Sequence, residues 1–265
     1  MNEDNADDIE KISAIEKAIS DTYEMLIPQG QAFGLKDIAE TILKTPDQHI
    51  EMQLNRYLKN PIFNKLKDSL SFEKQLTCIN MDFIANSNQD ASLIALYLFH
   101  RMIFEAKENS KGFFIFIDEA KSYTENKTMI DKIILTLTQV RKVNGVLALA
   151  FQDIAQLDEI TNASSMVANM AHIILYPTRD IERIKKYGIN LTEAEESFLT
   201  TANARDRKIL LKNMLDGTSN ILDVNLAKLG NYLNILSSSS HSVQKLKTLK
   251  EKYSTDYKER FLNGF

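Results

Sequence analysis

Residues 112–119 read Gly-Phe-Phe-Ile-Phe-Ile-Asp-Glu, an apolar run unbroken until an acidic pair ends it. Side chains of a strand point alternately to its two faces, so a strand apolar at every position is expected to be covered on both. That condition belongs to a parallel sheet, whose crossover helices lie on either face. The neighbouring segments continue the pattern. Residues 89–106 predict a helix with Ile94, Ala95, Leu98 and Met102 on its inner face, and residues 127–140 a second with Ile130, Ile133, Ile134 and Leu137. Gly145-Val146-Leu147-Ala148-Leu149-Ala150-Phe151 predicts another buried strand, whose first residue, Gly145, allows the preceding helix to stop. A short helix at 164–170 and a strand at 172–176 follow, closed by Pro177. A strand is also expected at 75–82, with Cys78 as a small buried apolar residue. Strands and helices in this alternation imply an α/β fold with one parallel sheet and helices on both faces.

The flanks read differently. Ile9, Ile12, Ile15, Ile19, Tyr23 and Leu26 recur at helical steps until Pro28-Gln29-Gly30 stops them. A second helix starts near Leu35. A third is announced by Thr45-Pro46-Asp47-Gln48, a capping signal, and Asn60-Pro61 ends it before a short helix at 62–66. Thr192-Glu193-Ala194-Glu195 predicts a capping box. Residues 207–214 and 220–224 are expected as strands, the first an edge strand continuing the sheet. A tail helix is expected over about 243–262, packing Leu246, Leu249, Tyr253 and Tyr257. The expected organisation is a helical subdomain over 1–70, a sheet core over 71–235 and a helical tail over 236–265.

Composition narrows the function. The 265 residues carry 32 Lys and Arg against 36 Asp and Glu, a formal charge of −4, which gives no general attraction to nucleic acid or anionic membrane. No apolar run approaches the roughly 18 residues a membrane-spanning helix needs, and the acidic start lacks a signal peptide's features. Cys78 is the single cysteine, so no disulfide framework exists. His49, His100, His172 and His241 have no metal spacing, and His100 is expected to pack or cap.

Chemistry concentrates where the two apolar strands end. Ligands of parallel sheets collect at the carboxyl ends of strands. Asp118 there can hold Mg²⁺, usually through water, and Glu119 can orient an attacking water, or the pair can be a plain acidic turn. Gln152, just beyond the second strand, can bridge a terminal phosphate or that water. Arg141 and Lys142 sit where a helix carboxyl end favours cations, with or without a ligand nearby. A phosphate cradle needs a Gly-rich turn followed by Lys and Ser or Thr. None of the 8 glycines stands in such a pattern. An amino-terminal segment removed, a degenerate site, or a cradle from another chain would each account for this.

The ordered series Leu54 to Pro61, Ile79-Asn80-Met81-Asp82-Phe83, Tyr97-Leu98-Phe99-His100-Arg101, Phe116-Ile117-Asp118-Glu119-Ala120, Arg141-Lys142-Val143-Asn144-Gly145, Phe151-Gln152, Tyr187-Gly188-Ile189-Asn190-Leu191-Thr192 and Glu195 resembles the carboxyl-terminal part of the VirB4 family, the conjugation and type IV secretion ATPases. The resemblance covers most of the chain after about Ala32, and its texture is nearest the members of epsilonproteobacterial systems (CagE-like). It implies a RecA-like P-loop NTPase core that here lacks its phosphate-loop segment, beside a helical subdomain. It implies Mg²⁺ and ATP as cofactors, Asp118 as the Mg²⁺-side acid, Glu119 as the catalytic glutamate and Gln152 as the sensor. It implies a homo-oligomeric ring, partnered by other secretion ATPases and inner-membrane components, at the cytoplasmic side of the inner membrane, with nucleic acid an open possibility. An arginine from a neighbour would complete the site, with Arg179 and Arg205 as candidates and Arg141 as a coupling residue. Two residues depart from the pattern: Lys121 replaces an aromatic after Asp-Glu-Ala, and Phe151 replaces a threonine before the glutamine. The missing phosphate loop lies upstream in the family, so truncation is expected, leaving this chain inactive alone. The alternative is a non-catalytic module that binds other secretion components.

Overall fold

A computed structural model describes residues 3–42, 54, 55, 57–60, 63, 70–81, 88–124, 126–236, 239–253 and 255–264. The chain divides into two compact units, residues 1–77 and 78–265.

In the first unit, α1 (Glu3–Leu26) runs into a tight turn (Ile27–Gln29) containing Pro28 and closed by Gly30 at φ 65°. Only glycine adopts that backbone without cost, so the helix stops there. α2 (Leu35–Ile42) packs on α1 through Ala18 and Ile42, with Ile38 and Leu54 against them. Thr22 is buried too, its hydroxyl bonded to the Ala18 carbonyl at 2.7 Å and to Thr41 Oγ1 at 3.0 Å. Small residues let the helices approach closely. The isoleucine periodicity therefore marked the helix but not its packed face: Ile9, Ile12, Ile15, Ile19 and Tyr23 stay exposed. The expected cap at 45–48 lies outside the described residues, as does most of the helix at 62–66.

The second unit holds the main core. α3 (Asn88–Glu108) leads to β1 (Phe113–Ile117), and α4 (Lys121–Thr124) and α5 (Lys127–Gln139) lead to β2 (Gly145–Leu149). β1 and β2 pair in parallel, Phe113 opposite Gly145 and Ile117 opposite Leu149. Asn126 caps α5, its side chain accepting the Met129 N–H. The residue that turns the chain after α5 is Asn144, at φ 50°. Gly145 serves a different need: a Cβ there would stand 2.3 Å from the Phe113 ring. Phe99, Ile115, Met129, Ile130 and Ile133 form the centre of the core beneath this pair.

The strand pair is not covered on both faces as expected. Phe113, Ile115, Ile117, Leu147 and Leu149 face the core, whereas Phe114, Phe116 and Val146 are exposed. Alternation sends these three to the opposite side of the sheet, and nothing among the described residues buries them. The single parallel sheet also needs correction. After α6 (Ala163–Ala168), β3 (His172–Leu175) pairs antiparallel with β4 (Lys208–Asn213), and β4 with β5 (Ser219–Asp223), forming a separate three-stranded sheet. β4 is its centre, not an edge, because a short turn with Gly217 at φ 74° folds β5 back onto it. Residues 75–81 form no strand, and Cys78 is exposed there. A strand exists by its ladder, and this apolar stretch finds none.

Between β3 and β4 lie α7 (Ile181–Lys186) and α8 (Glu193–Thr201). The capping box forms: the Glu195 N–H donates to Thr192 Oγ1, and the Thr192 N–H to Glu195 Oε2. Glu195 is buried against Lys212 of β4 at 2.9 Å, joining α8 to the hairpin. Burial opposes its ionisation, but the Lys212 ammonium, the Ser219 hydroxyl and the Thr192 N–H outweigh it and hold the carboxyl at about 2. A short helix α9 (Leu233–Leu236) precedes the tail. The tail is two helices, α10 (Ser240–Lys252) and α11 (Tyr257–Leu262), separated where Tyr253 turns extended. Thr255 and Asp256 favour turns and caps over helix interiors, which explains the break.

Candidate active site

The backbone ladder of the parallel pair continues past the strands. The Ala150 N–H donates to the Ile117 carbonyl at 3.0 Å, and the Ala120 N–H to the Ala150 carbonyl at 2.9 Å. Ala120 is wholly buried. Those bonds bring the residues just beyond the two strands side by side. Gln152 Nε2 donates to Glu119 Oε1 at 2.9 Å, across 33 positions of sequence. Glu119 itself stands at φ 49°, a left-handed conformation uncommon for a non-glycine residue. Its N–H donates to Asp118 Oδ1 at 3.0 Å, and its carbonyl accepts the Ser122 N–H at the start of α4. The acidic loop therefore bends sharply, with both carboxylates exposed.

The Gln152 side is held just as locally. Its N–H donates to Gln156 Oε1 at 3.1 Å, and Asp153 Oδ1 caps the following turn (Ile154–Glu159) by accepting the Ala155 N–H at 2.7 Å. Leu157 anchors that turn in the core. Lys121 Nζ, from α4, reaches Glu159 Oε2 at 2.7 Å. On the far side, Asp158 meets Arg183 Nε at 3.0 Å, Lys186 Nζ at 2.6 Å and the Tyr187 hydroxyl. Lys186 and Tyr187 hold the Asp158 carboxyl below its ordinary range. Sequence reading missed Lys121–Glu159 and Gln156 as neighbours of the site. Nothing in the sequence marks which side chains the turn brings back.

The arginines fall elsewhere. Arg141 lies in the turn Val140–Val143 before β2, and so at the opposite end of the parallel pair from Gln152. Arg179 is exposed between β3 and α7, and Arg205 is exposed in the turn Ala204–Asp206. Neither bonds to Asp118, Glu119 or Gln152. His49 lies outside the described residues; His100 stacks on Phe104 at 6.3 Å, and no group of three or more His, Cys, Asp or Glu among the described residues could hold a metal.

No protein-family model matches the chain. Curated relatives do. The proteins named virB4 from Rhizobium radiobacter and from Agrobacterium tumefaciens strain 15955 are each 26% identical over 230 residues, 83% of this chain. That from Agrobacterium fabrum strain C58 is 26% identical over 220 residues. Among solved structures, VirB4 of Thermoanaerobacter pseudethanolicus aligns with a TM-score of 0.64 over 82% of this chain and 64% of its own, at 16% identity. Over most of its length the chain is therefore similar, in sequence and in fold, to proteins named VirB4. The α/β fold of this chain is thus similar to that of the Thermoanaerobacter VirB4 structure. The chain spans about 28% of the length of the first two VirB4 relatives. No helix among the described residues is long and apolar enough to cross a membrane.

Asp118 and Glu119 are carboxylates that could take part in holding Mg²⁺. Mg²⁺ takes hard oxygen ligands and is usually held by one or two carboxylates together with phosphates and water, not by a full protein cage. Asp118 Oδ2 has no protein partner among the described residues, and Glu119 is one residue away.

Proposed function

We propose that this chain is the carboxyl-terminal part of a type IV secretion ATPase of the CagE-like group, whose ATP hydrolysis drives channel or pilus assembly and substrate transfer. The observation that carries the reading is the Gln152–Glu119 hydrogen bond at the carboxyl ends of two parallel strands. It joins, beyond two neighbouring strands, the two side chains that such a site requires, within a chain of VirB4-like sequence and fold.

In this reading Asp118 would hold Mg²⁺, and Glu119 accepts a hydrogen bond from the attacking water and takes its proton. Gln152 keeps Glu119 aimed by donating to one oxygen, which leaves Oε2 for the water. Its second N–H remains to donate to a terminal phosphate. When bound, Mg²⁺ neutralises charge on the phosphate oxygens. The phosphate cradle comes from outside these 265 residues, so the chain alone is inactive. The working protein is a ring in which Arg179 or Arg205 reaches a neighbour's site, and Arg141, at the far strand end, couples the core to another component. It meets other secretion ATPases and inner-membrane proteins at the cytoplasmic membrane face.

Steady-state hydrolysis of Mg-ATP by an upstream-extended form that includes a phosphate loop tests this. Gln152→Ala should lower kcat about ten- to hundredfold. An extended, folded protein that neither binds nor hydrolyses ATP would overturn the motor reading in favour of a non-catalytic interaction module.

A further inference from the structure

Two links bracket the acidic loop, and only one of them involves Glu119. The second is Lys121 Nζ to Glu159 Oε2 at 2.7 Å. Lys121 stands two positions after Glu119, at the first residue of α4, and Glu159 closes the turn that Gln152 and Asp153 open. The two links and the Ala120–Ala150 backbone bond tie residues 119–121 to residues 150–159 as one unit. The turn itself is fixed from behind by Leu157 in the core and by Asp158 on Arg183 and Lys186. The turn is thus anchored on its own account, and the ion pair adds a side-chain link from it to the acidic loop beyond the Ala120–Ala150 backbone bond.

Stability does not explain the pair. Glu159 is 63% exposed, and an ion pair in that setting contributes little to folding. Its effect is geometric. Glu119 occupies a left-handed backbone position, which a loop keeps only when its surroundings hold it there. A tether two residues away is well placed to do so.

We propose that Lys121 is a positioning residue, acting through Glu159 to keep Glu119 within reach of Gln152. This rests on the hydrolytic role proposed for Glu119. Catalysis is sensitive to displacements near 1 Å, so a weak ion pair is sufficient.

The test has two readouts. In this chain, the side-chain amide of Gln152, assigned by NMR, should shift and exchange faster in Lys121→Met and in Glu159→Gln. The charge-reversed double variant Lys121→Glu/Glu159→Lys should restore the parental signal. In the upstream-extended form, Lys121→Met should lower kcat about three- to tenfold with KM for ATP unchanged, and Lys121→Arg should retain activity. A Gln152 amide signal unmoved by Lys121→Met would overturn the proposal. So would unchanged kcat in Lys121→Met beside a Glu119→Gln variant that is inactive. If Glu119→Gln itself keeps full activity, the hydrolytic reading fails instead, and the amide signal still decides whether Lys121 positions Glu119.

Discussion

At the scale of single residues, Glu119 is the most informative position. A carboxylate held at φ 49° costs backbone energy that an ordinary surface turn would avoid by using glycine or asparagine. Ser110 and Arg207 stand at similar φ, so the position is strained without being unique in this fold. Glu119→Gly should leave the melting temperature unchanged or slightly raised, because it relieves that backbone. Glu119→Val, β-branched in the same conformation, should lose about 2 kcal/mol. Equal thermal stability of the two variants would show that the left-handed backbone is not held in solution. Gln152 was legible as a candidate because it follows an apolar strand, and its partner could be inferred once the two strands were taken as neighbours. The helpers were not legible. Gln156, Lys121 and Glu159 are common polar residues whose roles depend on a turn that brings them back over the strand ends.

At the scale of elements, the predicted helices and strands of the second unit mostly form, since long apolar runs and helical periodicity are local signals. Pairing is not local, and it is where the reading failed. β3 looked like the next parallel strand, yet it pairs with β4. Lys212 accounts for part of this. Its register opposite Ile173 places its ammonium on Glu195, which locks the hairpin to α8. The carboxyl of Glu195 lies at about 2 rather than its ordinary 4.5. A depressed folded-state value stabilises the fold above the unfolded value and loses that contribution as pH falls. Stability should therefore drop by about 3 kcal/mol between roughly pH 4.5 and 2 on this account. Denaturant titrations should show Glu195→Gln less stable at pH 7 but flatter through that window. Lys212→Ala should cost about 3 kcal/mol at neutral pH, because it strands a buried carboxylate. A parent and Glu195→Gln with the same acid profile would contradict the role given to this pair.

At the scale of the whole molecule, the exposed face of the parallel pair stands out. Phe114, Phe116 and Val146 line it at 68, 58 and 53% exposure, an arrangement that favours self-association. Replacing Phe114 and Phe116 by serine should reduce aggregation in light scattering at high concentration while leaving the far-ultraviolet circular dichroism intact. Unchanged association would show that the face is not the sticky surface. The apolar run that first pointed to a doubly covered strand was thus right about the strand and wrong about its cover in this chain, because a sequence shows which side chains are apolar but not what lies against them.

The central claim is that Asp118, Glu119 and Gln152 form one half of a hydrolytic nucleotide site. Single-turnover hydrolysis of Mg-ATP by the upstream-extended form, with and without Glu119→Gln, tests it most directly. The account predicts that the variant binds ATP with affinity within a few-fold of the parent and fails to cleave it. Cleavage at the parental rate by a folded Glu119→Gln protein would contradict the account.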